Sequence, residues 1–373
     1  MLNLKALSYT SVCSALILSS LSTPVYAAPG DTFTFNNCST TGRLGPVQAA
    51  CDLAYGATTL NGLVTVTAGI QAWVVPVTAT YTIQAQGAAG GTNTGVGGPF
   101  PGGLGASIQG EVALTAGETI FFIVGQMGED TRVNTEDRAA PGGGGGSFVY
   151  RLATDPTPLI AAGAGAGGVG CSPTSGSPNA NITANGSDAF GLVNGGLAGN
   201  GGTLNNTGSS YWAGGGAGWL TDGTGGNNPV ANVFTAISPS GNAEGGRAPL
   251  NGALGGTRSN DGIDEGGDGG FGGGGGGGSD NMGTGGGGGY SGGGGANGNN
   301  DAACGEASIG GGGGSFNSGT NQVNVASANI GQGSIVVTQL DGGVESIPTT
   351  SFWGLTLLTA LLGLFGFSKR RKK

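Results

Sequence analysis

The chain has 373 residues, long enough for two domains of average size, and 88 of them are glycine. It carries 12 basic and 21 acidic residues and no histidine; all four lysines (Lys5, Lys369, Lys372, Lys373) stand at the termini. Between Ala28 and Ser346 six arginines (Arg43, Arg132, Arg138, Arg151, Arg247 and Arg258) face all 21 acids, a net charge of −15. That balance excludes nucleic acid as a partner, because affinity for a polyanion comes from basic side chains that displace its counterions. No lysine is available for a phosphate-binding P-loop, and no histidine for a Ser-His-Asp or Cys-His constellation or for the commonest transition-metal site. No cofactor is expected.

In chain order, Lys5 precedes an apolar run around Val12 to Leu21, and Val25-Tyr26-Ala27 gives the small-residue pattern of a secretory cleavage site. Residues 1–27 are therefore expected to be a signal peptide cut between Ala27 and Ala28. The next segments have β character. Thr32 to Phe35, Leu63 to Thr67, Ile70 to Val75, Thr80 to Ala85, Ala106 to Leu114 and Thr119 to Val124 are rich in β-branched and aromatic residues, several of them alternating. Tyr81, Ile83 and Ala85 share one face, as do Ile108, Val112 and Leu114. Ser147 to Leu152, Pro158 to Ala162, Val323 to Ala326 and Ser334 to Gln339 read as further strands, and no helical periodicity is found in the mature region. Strands that bracket a long insertion predict one all-β sandwich whose glycine-rich segments leave from its loops.

Between Gly262 and Gly314, 29 of 53 residues are glycine. Glycine has no side chain to bury and loses the most backbone freedom on ordering, so this stretch is slack unless its amides are paired. Four cysteines, Cys38, Cys51, Cys171 and Cys304, remain after removal of the signal. An even count in an exported chain predicts two disulfides, with three possible connectivities. Cys38 with Cys51 would staple a short loop, and Cys171 with Cys304 would then join the flanks of the glycine-rich region. Asp261, Asp264, Glu265 and Asp268 are a weak calcium candidate whose spacing does not match an EF-hand. The carboxylates Glu129, Asp130, Glu136 and Asp137 could suggest acid–base catalysis, but a turn or arginine-pairing role is expected of Glu129 and Asp130.

At the far end, Phe352 to Phe367 gives 16 mainly apolar residues before Lys369-Arg370-Arg371-Lys372-Lys373. A helix there rises about 1.5 Å per residue, slightly short of a bilayer crossing, with its basic tail held on the cytoplasmic side. Together with Ile347-Pro348-Thr349 and Trp353-Gly354 this ending resembles the IPTL-CTERM sorting signal of Gram-negative bacteria, although Thr350 stands where that family has leucine and Phe352 where an acid is usual. The resemblance implies an exosortase-type processing enzyme as partner, membrane association through the C-terminal helix, and residues 347–373 as a unit of their own.

The intervening unit, residues 28–346, resembles from about Thr32 to Leu340 the glycine-rich domain in the ectodomain of anaplastic lymphoma kinase and leukocyte tyrosine kinase. The likeness runs from Cys38-Ser39-Thr40-Thr41-Gly42-Arg43-Leu44-Gly45-Pro46 with Cys51 and Tyr55, through Gly69-Ile70-Gln71-Ala72-Trp73 and Gly125-Gln126-Met127-Gly128-Glu129-Asp130, to Ala213-Gly214-Gly215-Gly216-Ala217-Gly218-Trp219, Gly269-Gly270-Phe271 and Gly288-Gly289-Tyr290. It implies a TNF-like β-sandwich carrying polyglycine II helices, rods with about three residues per turn whose amides all point sideways to neighbours. Alanine, serine and asparagine are expected at outward positions of the rods, with Trp212, Trp219, Phe271 and Tyr290 packing where rods meet the sandwich. No kinase comes with the resemblance, since nothing after Leu340 could form a catalytic domain. The expectation is an exported, membrane-targeted bacterial surface protein, a non-catalytic structural or adhesive module that binds an extracellular ligand or copies of itself. The alternatives are a receptor-like binder of a peptide or glycan, marked by exposed aromatics, and a secreted carboxylate-based hydrolase.

Overall fold

The computed structural model describes residues 29–95, 98–133, 139–168, 178–190, 194–204, 213–225, 243–260, 262–279, 283–296 and 309–340. The signal segment with Ala27 and Ala28, the sorting motif Ile347, Pro348, Thr349, Trp353 and Gly354, and Trp212, Cys171 and Cys304 lie outside the described residues. Eleven strands are found among the described residues: β1 (Thr32–Phe35), β2 (Val64–Thr67), β3 (Ile70–Val74), β4 (Ala79–Gln86), β5 (Gly105–Leu114), β6 (Thr119–Ile123), β7 (Ser147–Tyr150), β8 (Ile160–Ala162), β9 (Phe316–Asn317), β10 (Thr320–Asn329) and β11 (Ser334–Gln339). They form two antiparallel sheets, ordered β1-β11-β4-β5-β10 and β2-β3-β6-β7-β8-β9.

The alternation read from the sequence is what sets the sheets face to face. Tyr81, Ile83 and Ala85 of β4 and Ile108 and Leu114 of β5 point inward and are fully buried, while Thr82, Gln84 and Gln109 face out. They meet Trp73, Ile120, Phe122, Val149 and Ile160 from the other sheet in one continuous core. Its centre is aromatic: Phe35 stacks on Phe122 with ring centroids 3.8 Å apart, and Trp73 meets Tyr81 edge-on at 6.1 Å.

The sequence reading expected no helix, yet Gln48–Tyr55 form α1. Eight residues are too few to be stable alone, and only Cys51 and Tyr55, four apart, are buried, too brief a signal to register as a period. Tertiary bonds hold the helix instead. Cys51 is disulfide-bonded to Cys38, and the Tyr55 hydroxyl donates to Gln71 Oε1 at 2.7 Å while accepting from the Asn36 amide at 3.0 Å. β9 was also not anticipated; at two residues it leaves no alternation to read.

The chain's two ends leave from one pole of the sandwich. The Gly30 amide donates to the Gln339 carbonyl (2.8 Å), that of Gln339 to Asp31 (3.0 Å), and that of Leu340 to Thr80 (3.0 Å). At the opposite pole β4, β6 and β8 run on into glycine-rich chain, and the Gly333 amide there reaches the Gly125 carbonyl at 2.8 Å.

The glycine-rich segments pack against the outer face of the six-stranded sheet. Ile123, Phe148, Tyr150 and Ala161 form that face and are covered by Trp219, Phe271 and Tyr290. Trp219 lies 5.3 Å from Tyr150 and 6.0 Å from Phe148, with its indole N–H given to the Asp155 carbonyl at 2.8 Å. Gly45 and Gly69 abut the Phe271 ring so closely that a Cβ on either would strike it.

Within this layer the amides pair sideways. Those of Gly285 and Gly288 go to the carbonyls of Pro141 and Gly144, those of Gly286 and Gly289 to Gly214 and Ala217, and those of Gly287 and Tyr290 to Gly311 and Gly314. One segment thus addresses three neighbours in turn and returns to each at every third residue. From Gly285 to Tyr290 the chain is hydrogen-bonded rather than slack, and the ordering cost is offset cooperatively. Many of the alanines and serines do not occupy the outward positions expected, although Ala184 and Ala198 are exposed. Ala213, Ala217, Ala243 and Ala253 are fully or almost fully buried, as are Ser259, Ser279 and Ser291. The reason is local: the Ala217 methyl fills the space a side chain on Gly273 would need, and the Ser291 and Ser315 hydroxyls accept from the Gly199 (2.9 Å) and Gly163 (3.0 Å) amides where a carbonyl would otherwise stand.

Candidate functional site

The Gly125-Gln126-Met127-Gly128-Glu129-Asp130 string leaves β6 and runs along the glycine layer to its margin. There Glu129 and Asp268 are joined twice: the Glu129 amide donates to the Asp268 carbonyl (2.8 Å), and the Asp268 amide to the Glu129 carboxylate at Oε2 (3.2 Å). Arg132 grips the Glu129 carboxylate with both Nη2 (2.8 Å) and Nε (3.0 Å), the forked geometry that makes arginine–carboxylate pairs strong. Arg258, almost wholly buried, donates to Glu265 and reaches Asp268 Oδ1 at 3.1 Å. Asp130 turns the other way, where its Oδ1 accepts from the Thr92 amide at 2.7 Å.

This cluster joins residues 129–133 to residues 258–268 by charge as well as by backbone. Burial is the largest single influence on Glu129 and pushes its pKa up, but the hydrogen bond from Arg132, the Asp268 amide and the charges of Arg132 and Arg258 together bring it below the ordinary carboxylate value. The same pairing raises Arg132, led by its hydrogen bond to Glu129. A general acid needs the opposite environment, one that keeps a carboxyl protonated near neutral pH. Of the catalytic candidates, Glu136 and Asp137 lie outside the described residues, and Glu129 and Asp130 are engaged as above. Of the calcium candidates, Asp261 lies outside as well, Asp264 is buried, and Glu265 and Asp268 are bound by Arg258. Among the described residues no group of three or more His, Cys, Asp or Glu is arranged to hold a metal ion.

A second buried pair was not singled out from the sequence. Arg247 Nη1 meets Asp222 Oδ2 at 2.8 Å, and Asp222 Oδ1 accepts from the Ala248 amide and from Asn251 Nδ2, both at 2.8 Å. The scarcity of cations was the available signal: with six arginines and no lysine between Ala28 and Ser346, each arginine in the glycine-rich segments is a candidate internal tie.

On the surface, a shallow groove of about 260 Å³ runs between Leu44, Pro46, Val47, Val66, Ala68 and Leu254, where the sandwich meets the glycine layer. The large exposed apolar side chains among the described residues are leucine, valine and isoleucine; no described aromatic is exposed. The Tyr55 hydroxyl, buried beneath α1, has its pKa raised by desolvation and serves as a fixed neutral donor. Among the described residues no helix is long and apolar enough to cross a membrane.

Two comparisons bear on these features. Residues 345–372 match the IPTL-CTERM motif. Over 114 residues the chain is 39% identical to the leukocyte tyrosine kinase receptor of Mus musculus, a stretch that makes up 29% of this chain and 12% of that receptor. The likeness therefore spans about an eighth of the receptor's length.

Proposed function

We propose that the chain is an exported surface protein of a Gram-negative bacterium, a non-catalytic module in which a TNF-like sandwich supports a polyglycine II bundle that adheres to a ligand or to further copies of itself. The observation that carries this reading is the three-residue recurrence of lateral hydrogen bonds from Gly285 to Tyr290, the pattern expected of rods that associate through their backbones. Such a bundle is stiff and presents a fixed surface, which suits display rather than turnover of a substrate. The IPTL-CTERM match supports sorting by an exosortase-type enzyme through Ile347, Pro348 and Thr349, with the apolar helix that follows holding the chain in the membrane until it is processed. Cleavage between Ala27 and Ala28, a mature unit of residues 28–346, and a second disulfide between Cys171 and Cys304 belong to the same proposal.

The test is made on the full chain in a Gram-negative host with and without an exosortase, following surface exposure by protease accessibility in intact cells. Loss of exposure on deleting residues 347–373, and its dependence on the exosortase, are expected; unchanged surface retention would refute the sorting role. Binding of the displayed protein to glycans, peptides and itself is then measured. Nanomolar affinity for one soluble ligand would replace the structural reading with a receptor-like one.

A further inference from the structure

Exposed sheet edges carry unpaired amides and carbonyls and recruit other strands unless they are covered. The two sheets have four edges, β1, β10, β2 and β9, and three of them are managed. Along β2 the side chain of Gln48 imitates a neighbouring strand, its Nε2 donating to the Val64 carbonyl (3.0 Å) and its Oε1 accepting from the Val66 amide (2.7 Å). β1 is four residues long, with its Thr32 carbonyl capped by the Thr59 hydroxyl at 2.6 Å. β9 is two residues long, and its Asn317 carbonyl accepts from Gln322 Nε2 at 2.9 Å.

β10 differs on every count. It is ten residues long, lies against β5 on one side only, and is exposed along most of its length. Among the described residues no side chain caps a main-chain group between Gln322 and Ser327. The two outward valines, Val323 and Val325, remain 54% and 49% exposed. Nor is the edge guarded by charge, since residues 307–340 contain no acid or base although the mature chain carries a net −15. Two copies of so acidic a protein repel one another over most of their surface. The β10 strand itself adds no charge to that repulsion.

We infer that β10 is the edge by which two copies of this chain pair, antiparallel about a two-fold axis at Asn324, so that two five-stranded sheets continue into one of ten strands. The register is set by the strand itself. Asn321 and Ser327 adopt positive φ (47° and 53°) beside the two irregularities in its pairing with β5, which confines regular edge geometry to residues 322–326. An antiparallel self-pairing of that stretch places Gln322 opposite Ala326 and Val323 opposite Val325 of the partner, an isologous contact that closes as a dimer. Five residues make a weak contact in dilute solution, and tethering to one surface raises the effective concentration that such a contact needs. This last step rests on the surface reading above; the pairing itself does not.

The test uses the full chain displayed on cells, with Val323→Cys and Val325→Cys placed on separately tagged copies. Directly opposed residues lie within disulfide reach and diagonal ones do not. The mixed Val323→Cys with Val325→Cys pair is therefore expected to cross-link on mild oxidation at least roughly tenfold more than either variant with itself, as far as cross-strand spacing discriminates. Val323→Lys is expected to abolish the dimer with no change in the unfolding midpoint, because the side chain points to solvent. Equal cross-linking in all combinations, dimers that survive Val323→Lys, capture of an unrelated extended peptide at β10 in their place, or a monomer at every surface density would each overturn the pairing. Surface exposure lost on deleting residues 347–373 is read separately and tests only the sorting.

Discussion

Replacing Gly275 by alanine puts a methyl group against the carbonyl of Gly214, in the middle of the glycine layer. The Gly275 amide donates to Gly286 and its carbonyl accepts from Gly143, both at 2.9 Å, so its own segment is held from two sides. Relief has to come from movement of residues 213–217. That movement stretches the bonds from Gly214 to Gly276 (2.9 Å) and from Ala217 to Gly273 (2.7 Å). Two net hydrogen bonds at about 1 kcal/mol each, overpacking of about 1–3 kcal/mol, and a gain of about 0.4–1 kcal/mol from stiffening the unfolded chain leave a loss of about 2–5 kcal/mol. Against a total stability of about 5–15 kcal/mol this is a large fraction. Gly56→Ala is the matched control: Gly56 follows α1 with φ −55° and ψ −23°, and its nearest neighbour is 3.4 Å away. It should stabilise by about 0.4–1 kcal/mol. The assay is urea denaturation of both variants, with amide exchange read across residues 262–279 and 283–296. A Gly275→Ala protein within about 0.5 kcal/mol of wild type, a surface-like effect, would refute the close-packed reading, as would exchange at the rate of an unfolded peptide.

Two further perturbations address the Glu129 clamp at the margin of the glycine layer and the Cys38–Cys51 disulfide of the sandwich. Because the Glu129 carboxyl is held below its ordinary value, its stabilising contribution is present above the unfolded pKa, about 4.3 for glutamate, and is lost as pH falls through the folded one. Protection of the Asp268 amide, which Glu129 accepts, should accordingly persist at pH 6 and fall in the acid range below the glutamate value, before β4 and β5 lose theirs; simultaneous loss everywhere would count against a local clamp. Cys51→Ala opens a loop with a sequence separation of 13. A cost of about 3 kcal/mol is expected from loop entropy, with loss of helical signal from α1, and a midpoint equal to wild type under oxidising conditions would contradict it.

The sandwich was readable because burial of one strand face forces a period of two. The inward set Tyr81, Ile83 and Ala85, and Ile108 with Leu114, stands out in the sequence for the same reason that it is buried in the core. α1 was not readable, since a disulfide and a tyrosine hydroxyl do the work that a longer apolar stripe would otherwise do. The glycine layer was readable only through resemblance. Its cohesion lies in main-chain groups, which every residue type possesses, so composition alone cannot distinguish a bundle from a linker. The same blindness explains the misplaced alanines: whether a methyl group points outward depends on the hollow across from it, as at Ala217 over Gly273, and that pairing joins residues 56 positions apart. The ion pairs were half visible. Glu129 was marked for arginine pairing, and its partner Arg132 stands three residues on; the pairs of Arg258 with Glu265 and Asp268, and of Arg247 with Asp222, depend on the path of the glycine layer, which the sequence does not order.

Because both chain ends leave from one pole, any pull between that pole and the glycine layer is carried along the length of β11. This strand is flanked by β1 and β4, with antiparallel pairing on both sides from Ile335 to Thr338. Tension along such a strand loads its cross-strand bonds together, in shear, instead of peeling them one after another. Under the anchoring proposed above, drag would load β11 in shear, and the force needed to extract it should far exceed that needed to peel β10, which is paired on one side only, away from β5.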